Sequence, residues 1–380
     1  MNKKKFLSMA IAGALMVSAA TAAYANPVTD ADDPAYVELT AVADNAKAKG
    51  EAVSPAELEK LAVPKADVKL VDKKADAATV ALYRYLSAVP KAGKVIYGHE
   101  NDAHHKMFHP AGGSESDTKD VTGSTPENRD HYMNYTTHIS EGNVAHRILP
   151  GGDLNASYNG YLDRVAEYAH RMAEDGVPVL FRPLHEHNGS WFWWGKAHSS
   201  EKDFQQLWEY TVKYLRDTKG VHNFLYIYSP NGHFKTEADY LDRYPGDKWV
   251  DIMGVDSYDD DQTGQWYTDL CGDLDVMQQV SEKHGKLMTI TEVGVRRGGS
   301  LALKDNVDKQ WFSKVAKIAV DHQVPYFLTW SNFEKLTNNF FSPYMVSRTR
   351  GHEMINEFVD FYNEPETLFA DGVNWQSLKK

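Results

Sequence analysis

Two glutamates and a run of aromatic residues are the parts of this sequence best suited to chemistry. Glu186 follows the short apolar run Val179-Leu180-Phe181, which has β-strand character, and precedes the turn residues Asn188-Gly189 and the aromatic run Trp191-Phe192-Trp193-Trp194. Large aromatic side chains in a loop leave apolar surface in water unless a partner covers it. Indole faces cover the apolar C–H faces of a pyranose ring, and a carboxyl group at a strand end has a fixed position. The stretch therefore favours a sugar-cleaving site.

Glu292 is the second candidate acid, because it directly follows the apolar run Leu287-Met288-Thr289-Ile290-Thr291. Glycoside hydrolysis with retention needs two carboxyl groups about 5 to 5.5 Å apart, one acting as acid then base and the other as nucleophile. Strand ends on one rim of a barrel can bring such residues together. Arg182, four positions before Glu186, is expected to hold a carboxylate in the same mouth by a bidentate bond, with a purely structural pairing as the alternative.

Neither a metal nor a cofactor is predicted. His185, Glu186 and His187 do not have the His-Glu-x-x-His spacing of zinc proteases. The run Asp259-Asp260-Asp261 lacks the spaced ligands and the glycine of a calcium loop, so a solvated charge run is favoured.

The surrounding sequence alternates between strand and helix patterns. Strands are predicted at 95–97, 179–182, 224–228, 251–255, 287–291 and 326–330. Helices are predicted at 76–89, 161–173, 203–215, 237–241, 274–284, 307–322 and 353–362. This alternation indicates an α/β fold with a parallel sheet, and at this chain length a (β/α)8 TIM barrel.

The stretch between Glu100 and Tyr161 does not fit this pattern. It is polar, and it contains one weak strand candidate, Val144 to Leu149. Two strand–helix units need at least about 50 to 60 residues of suitable composition. We therefore expect the barrel to be incomplete in the region of its second and third strands, with a junction near Gly123.

The N-terminal segment has the pattern of a signal peptide. Lys3-Lys4-Lys5 is basic, residues 6–20 are mostly apolar, and Ala23-Tyr24-Ala25 has the form of a cleavage site. Residues 1–25 are therefore predicted to be removed. Residues 26–66 are predicted to form an arm or linker with a short helix after Ser54, and residues 67–380 to form the catalytic (β/α)8-type domain.

The net charge and the cysteine content limit the classes of partner and of covalent link that the chain can have. Residues 1–25 contain three lysines and no acids, so their removal changes the formal charge from −12 to −15. An acidic exported chain is a poor candidate for binding nucleic acid or anionic membranes and suits a neutral polysaccharide. Cys271 is the only cysteine, which excludes an intrachain disulfide and a lipid anchor at the cleavage site. We expect a soluble monomer, secreted or periplasmic.

The motifs HEHNGSWFWWG at 185–195 and TEVG at 291–294 resemble glycoside hydrolase family 26, whose best-known members are endo-β-1,4-mannanases. The resemblance runs from about Val95 to Tyr362. It implies a (β/α)8 barrel in which Glu186, after the fourth strand, is the acid/base and Glu292, after the seventh, is the nucleophile. It also implies substrate-binding or supporting roles for His99, His185, Trp191, Asp256, Tyr258 and Trp330. The family often has arginine after this last tryptophan, where this sequence has Ser331.

Together these features predict a secreted retaining endo-glycosidase that hydrolyses β-1,4-mannosidic bonds in mannan, galactomannan or glucomannan. One alternative is a hydrolase of the same family that acts on mixed-linkage glucan or β-1,3-xylan. The other is a non-catalytic glycan-binding protein, in which an incomplete barrel does not align the two glutamates.

Overall fold

A computed structural model describes residues 37–38, 53–99, 143–330, 332, 341–347 and 349–369. The predicted signal peptide and the junction near Gly123 lie outside the described residues.

The centre of the described structure is a parallel sheet of seven strands. The nine strands are β1 Val37–Glu38, β2 Val95–His99, β3 Val179–Phe181, β4 Phe224–Tyr228, β5 Ile252–Asp259, β6 Leu287–Val295, β7 Tyr326–Thr329, β8 Arg350–Gly351 and β9 Thr367–Leu368. The order across the sheet is β3-β4-β5-β6-β7-β2-β9, and β1 pairs separately with β8 in antiparallel fashion. Because the order runs through β7 and then returns to β2, the first and last strands of the alternating pattern are neighbours, as in a (β/α)8 barrel.

Helices connect the strands. They are α1 Pro55–Leu61, α2 Ala77–Ala88, α3 Val144–Ile148, α4 Asn155–Glu174, α5 Glu201–Lys213, α6 Glu237–Tyr240, α7 Gln265–His284, α8 Trp311–Asp321 and α9 Ile355–Asn363. Short 3-10 turns lie at Lys65–Asp67, Pro90–Ala92, Asp247–Trp249 and Arg297–Gly299, and a π-helical turn at Tyr214–Thr218 extends α5. No helix in the described ranges is long and apolar enough to cross a membrane.

The predicted alternation is confirmed from β3 onward, but the strand prediction at Val144 to Leu149 is wrong. These residues form α3, because the side chain of Asn143 accepts the backbone N–H of His146 and caps a helix. Val144, Ala145 and Ile148 then share one buried helical face.

The open side of the sheet lies where the sequence predicted an incomplete barrel. β9 pairs with Val95 and Ile96 of β2, on the side away from β7. A complete barrel has its second strand at this position. Within the described residues no strand bridges from β9 to β3.

Alternate residues of the strands contribute to two apolar clusters. Phe224, Tyr226 and Tyr228 of β4 pack in the large cluster that includes the inner faces of α4 and α5. Leu225 and Ile227 pack in a second cluster with buried residues of α1 and α2. The helix predicted after Ser54 is confirmed as α1. The Ser54 side chain caps it by accepting a hydrogen bond from the backbone N–H of Glu57. The part of the N-terminal arm from residue 53 onward is therefore packed against the barrel strands through α2.

Candidate active site

The register of the strands collects polar residues at one end of the sheet. Asp256 of β5 pairs with Glu292 of β6. The next residue of β6, Val293, pairs with Thr329 of β7, and Thr329 pairs with His99 of β2. Since all these strands are parallel, the four polar positions lie at their carboxyl ends, the face that carries the active sites of barrel enzymes.

Asp256 and Glu292 lie inside strands rather than in the loops after them. The sequence predicted that β5 would end at Val255 and β6 at Thr291, but pairing continues through Asp259 and Val295. The strands extend further because the polar residues near their ends are buried and bonded to one another, which periodicity alone does not reveal.

Strand β6 carries one extra residue, Thr291, directly before Glu292. The consecutive residues Val255 and Asp256 of β5 do not pair with consecutive residues of β6, because their partners are Ile290 and Glu292. The register between β6 and β7 shifts in the same stretch. A β-bulge of this kind bends the strand and re-aims the next side chain, and bulges are frequent beside active sites.

Arg182 joins the two acids of these strands. Its Nη1 donates to Oδ2 of Asp256 at 2.6 Å, and its Nη2 donates to Oε2 of Glu292 at 2.6 Å. Arg182 directly follows β3, so its guanidinium reaches across β4 to the ends of β5 and β6. The sequence predicted that Arg182 holds a carboxylate in the barrel mouth, and in the structure it contacts two, one with each nitrogen.

Two hydroxyl groups complete the surroundings of Asp256. Its Oδ1 accepts hydrogen bonds from Ser229 Oγ at 2.6 Å and from Thr291 Oγ1 at 2.7 Å. Gly254 leaves the space for this arrangement, since a Cβ there would lie 2.5 Å from Cγ2 of Thr291. Sequence reasoning missed Ser229 and Thr291. The position of Ser229 directly after the apolar run 224–228 was the available signal.

Tyr258 supports the other oxygen of Glu292, because its hydroxyl donates a hydrogen bond to Oε1. The Tyr258 ring packs edge-on against the Phe341 ring, with 5.7 Å between centroids. Trp330 packs against the other part of this group, the Phe341 ring, with 5.3 Å between centroids. The guanidinium of Arg296, also missed from the sequence, lies 4.9 Å from the centre of the Tyr258 ring. Burial, followed by the charge of Glu292, raises the pKa of Tyr258 well above its usual value of 10, so the hydroxyl remains a donor.

Glu186 lies in the loop after β3, with a positive φ of 49°. Its backbone N–H donates to the carbonyl of Ser229 at 2.8 Å, which ties this loop to the loop after β4. The amide of Asn188 reinforces the same link, because its Nδ2 donates to the carbonyl of Asn231 and its Oδ1 accepts the Asn231 N–H. Trp191 donates its indole N–H to Oε2 of Glu186 at 2.6 Å.

The electrostatic surroundings of Glu186 favour its protonated form. Burial is the largest cause, and the negative charges of Asp256 and Glu292 add to it, so the pKa of Glu186 rises to about 8. The Trp191 hydrogen bond and the charge of Arg182 oppose this rise. Burial likewise raises the pKa of Asp256, to about 7, against the effect of Arg182. Asp256 and Glu292 are thus bonded to the Arg182 guanidinium, whereas Glu186 is not, and its raised pKa favours a protonated Glu186 at neutral pH.

The remaining predicted site residues lie around this network. A ring nitrogen of His185 and carboxylate oxygens of Asp256 and Glu292 lie within 4.8 Å of one another. His99 is in a separate polar group, with its Nδ1 3.1 Å from Thr329 Oγ1 and 3.0 Å from Ser342 Oγ. Burial lowers the pKa of His99 to about 4, so it is neutral in this environment.

The aromatic run is divided between surface and core. Trp191 is 44% exposed. Phe192 and Trp194 stack with 4.4 Å between ring centroids, and the Trp194 N–H donates to the carbonyl of His185. Trp193 is buried in the core, as is Tyr228 of β4. Only the exposed indole of this group is therefore free to cover a sugar ring.

The cluster of His185, Asp256 and Glu292 has the separation of a possible metal site. Both of its carboxylates already accept hydrogen bonds from Arg182, and this positive charge opposes a cation at the same place. The absence of a metal cofactor stays a prediction.

Paired carboxyl groups at the carboxyl ends of barrel strands, beside an exposed indole, are typical of glycoside hydrolases. A model of glycosyl hydrolase family 26 matches residues 118–341. Since this is more than half of the sequence, the chain belongs to glycosyl hydrolase family 26, and the resemblance of the two motifs is confirmed.

Curated relatives in this family are longer than the matched region. A mannan endo-1,4-beta-mannosidase of Bifidobacterium adolescentis is 42% identical over 246 residues, 61% of this chain and 24% of that protein. A protein of the same name from Bacillus subtilis is 38% identical over 131 residues, 33% of this chain and 36% of that protein. The chain therefore spans about a quarter to a third of the length of these relatives.

Solved structures confirm the fold. The catalytic domain of a family 26 endo-beta-1,4-mannanase from Bacillus sp. JAMB-750 superposes with a TM-score of 0.69 at 28% identity, covering 83% of this chain and 99% of that one. An endo-beta-1,4-mannanase from Cellulomonas fimi superposes with a TM-score of 0.64 at 31% identity, covering 81% and 79%. The predicted (β/α)8 class is thus confirmed, with the described sheet open between β9 and β3.

Proposed function

We propose that this protein is a retaining endo-β-1,4-mannanase, with Glu292 as nucleophile and Glu186 as acid/base. The observation that carries the proposal is the difference in surroundings between the two carboxyl groups. Glu292 accepts one hydrogen bond at each carboxylate oxygen, from Arg182 and from Tyr258, and these bonds fix the orientation that a nucleophile needs. Glu186 is desolvated, with its pKa raised to about 8, which favours the protonated form that an acid needs.

The reaction then proceeds in two balanced steps. In the first, an oxygen of Glu292 forms a bond to the anomeric carbon while the bond to the leaving oxygen breaks, and Glu186 gives its proton to that oxygen. In the second, Glu186 takes a proton from water, the water oxygen attacks the anomeric carbon, and the bond to Glu292 breaks. Arg182, itself bonded to Asp256, and Tyr258 hold Glu292 in place through both steps.

The choice of mannan rests on the relatives, since both curated proteins and both structures above carry that activity in their names. The second candidate substrate is a β-glucan. A protein named Endoglucanase H, from Acetivibrio thermocellus, is 31% identical over 107 residues, 26% of this chain and 12% of that protein. A panel of mannan, glucomannan, mixed-linkage glucan and β-1,3-xylan separates these candidates.

The test is turnover by the purified chain from residue 26 onward. Replacement of Glu292 with Ala should lower kcat by about 10³-fold or more, while mannan binding is nearly unchanged, because the nucleophile is lost and the aromatic surface remains. Glu174→Ala, at the exposed end of α4, is the matched control and should retain full activity. Unchanged turnover in the Glu292 variant would refute the assignment, and binding without turnover in the parent chain would favour a non-catalytic glycan-binding protein.

We also propose that residues 1–25 direct export and are removed, so that the mature protein is a secreted or periplasmic monomer. The basic start, the apolar run and the Ala23-Tyr24-Ala25 site support this proposal. N-terminal sequencing of the exported protein and its elution volume on size exclusion test it.

A further inference from the structure

Gly189 is in direct contact with the indole of Trp191. A Cβ at Gly189 would lie 2.5 Å from both Cζ2 and Cη2 of the indole and 2.7 Å from Cζ3. Separations below 3.0 Å are essentially never seen for a Cβ. An alanine at this position and the indole in its present place are therefore mutually exclusive.

The other side of the indole is bound to the acid. Nε1 of Trp191 donates to Oε2 of Glu186 at 2.6 Å. The Trp191 side chain is otherwise open, since the residue is 44% exposed and its ring meets Phe192 only edge-on, with 6.2 Å between centroids. If a Cβ at position 189 occupies this space, the indole can therefore rotate into solvent at small cost, but its hydrogen bond to Glu186 is then lost.

The backbone under the indole has no room to move away. The N–H of Gly189 donates to the carbonyl of Glu186 at 3.0 Å. On its other side the carbonyl of Gly189 touches Gly195, where a Cβ would lie 2.5 Å from that oxygen. The Gly195 N–H is in turn bonded to the carbonyl of Phe192 at 2.9 Å. The turn at Glu186–Gly189 and the turn at Phe192–Gly195 are thus in contact, and this contact holds the backbone of Gly189 in place.

We propose that Gly189 is a positioning residue for the acid/base. Because glycine has no side chain, the Trp191 indole can pack directly against it, and in this position the indole N–H reaches Glu186. This inference rests on the proposed role of Glu186. It adds a second function for Trp191 beside covering a sugar ring, namely to offset part of the desolvation of the acid.

The titration of Glu186 reports this contact. Among the described residues, Arg182, Asp256, Tyr258, Glu292 and Arg296 act on it electrostatically, and His185 lies beside two of these acids. None of them is changed by a substitution at Gly189. The Trp191 hydrogen bond favours the charged form of Glu186, so its loss raises the pKa of the acid, and the basic limb of the pH profile moves to higher pH.

The experiment compares Gly189→Ala with Trp191→Phe, which keeps an aromatic ring but has no N–H. Both should move the basic limb of kcat/KM on mannan upward by roughly one pH unit, the effect of one hydrogen bond to a charged group. The double variant should move it no further. Gly272→Ala on α7, where a Cβ meets nothing within 4 Å, is the matched control and should leave the limb in place.

A second readout does not depend on turnover. The indole ¹⁵N–¹H resonance of Trp191, assigned by its loss in Trp191→Phe, should shift as Glu186 titrates in the parent chain and should stop doing so in Gly189→Ala. If the parent chain hydrolyses no glycan but this coupling is seen and lost as expected, the proposed function fails and the positioning contact stands. If Gly189→Ala keeps both the coupling and the parent pH profile, the inference is overturned.

Poor folding of Gly189→Ala also gives an answer. Trp191→Ala removes the indole, so adding Gly189→Ala to it should cost no further stability. An unfolding midpoint of the double variant equal to that of Trp191→Ala supports the contact. A further large drop shows that Gly189 is needed by the backbone rather than by the indole, and overturns the inference.

Discussion

Arg182 is bonded to two buried carboxylates, and its replacement with Met is the sharpest test of the site. Met keeps most of the length of the side chain but removes both hydrogen bonds at 2.6 Å. Hydrogen bonds to charged groups contribute about 1.5–3 kcal/mol each, and breaking one side of a buried ion pair costs about 3–5 kcal/mol. We therefore expect the free energy of unfolding to fall by about 3–5 kcal/mol at pH 8.5.

The effect should depend on pH with a definite sign. The pKa of Asp256 in the folded protein, about 7, already exceeds its unfolded value of 3.8, and loss of Arg182 raises it further. Below about pH 7 Asp256 is protonated in the folded state of both proteins, so its contribution to their difference is small. Above about pH 7 the parent holds a charged Asp256 beside Arg182 and the variant does not. The difference in stability should therefore be smaller at pH 5 than at pH 8.5.

Urea unfolding at the two pH values measures the stability, and kcat/KM on mannan measures the site. A loss of about 3 kcal/mol of support for Glu292 in the transition state corresponds to roughly 10²-fold in kcat/KM. Arg171→Met is the matched control, because Arg171 pairs with Glu167 on the exposed face of α4, where an i,i+4 pair contributes about 0.5 kcal/mol or less. If Arg182→Met had the stability and kcat/KM of the parent at both pH values, the bridging role would be refuted.

Two further substitutions test buried positions. Gly254→Ala forces a Cβ against Thr291, so it should lower the free energy of unfolding by about 1–3 kcal/mol. It should also lower kcat, because it disturbs the Thr291 hydroxyl that is bonded to Asp256. An unchanged kcat would contradict this link. His187 is buried between two aromatic rings with neither ring nitrogen hydrogen-bonded, and burial lowers its pKa well below 6.5. His187→Phe should therefore raise the free energy of unfolding by about 1 kcal/mol at pH 8 and by more below pH 6.5, where only the unfolded parent gains a proton; a loss of stability in urea would argue against this.

Sequence patterns located the elements wherever a local signal was strong. The apolar run 224–228 is a strand with the predicted bounds, and Asp76 caps the helix predicted to begin there. The helix predicted at 307–322 begins later, at Trp311, and the backbone N–H of Val307 before it is bonded to the side chain of Gln262. A contact between residues so distant in sequence leaves no periodic signal.

The site was predictable as a set of residues but not as an arrangement. Glu186 and Glu292 stand out because a carboxylate after an apolar run is a local feature. Thr291 and Ser229 do not stand out, since their role depends on the register of β5 with β6 and on burial beside Asp256. Trp193 could not be assigned to surface or core from the sequence, because neighbouring tryptophans in one loop face opposite ways.

By itself, the sequence determined the strand and helix alternation and the family, and it singled out the two glutamates as candidate acids, because each depends on residues that are close together along the chain. Only the tertiary structure decided that Arg182 bonds to both Asp256 and Glu292, and that a bulge at Thr291 sets the direction of Glu292. It also decided that Gly189 provides the seat for the Trp191 indole. The physical reason is that hydrogen bonds and desolvation act between atoms a few ångströms apart, and strand register brings those atoms together from distant parts of the chain.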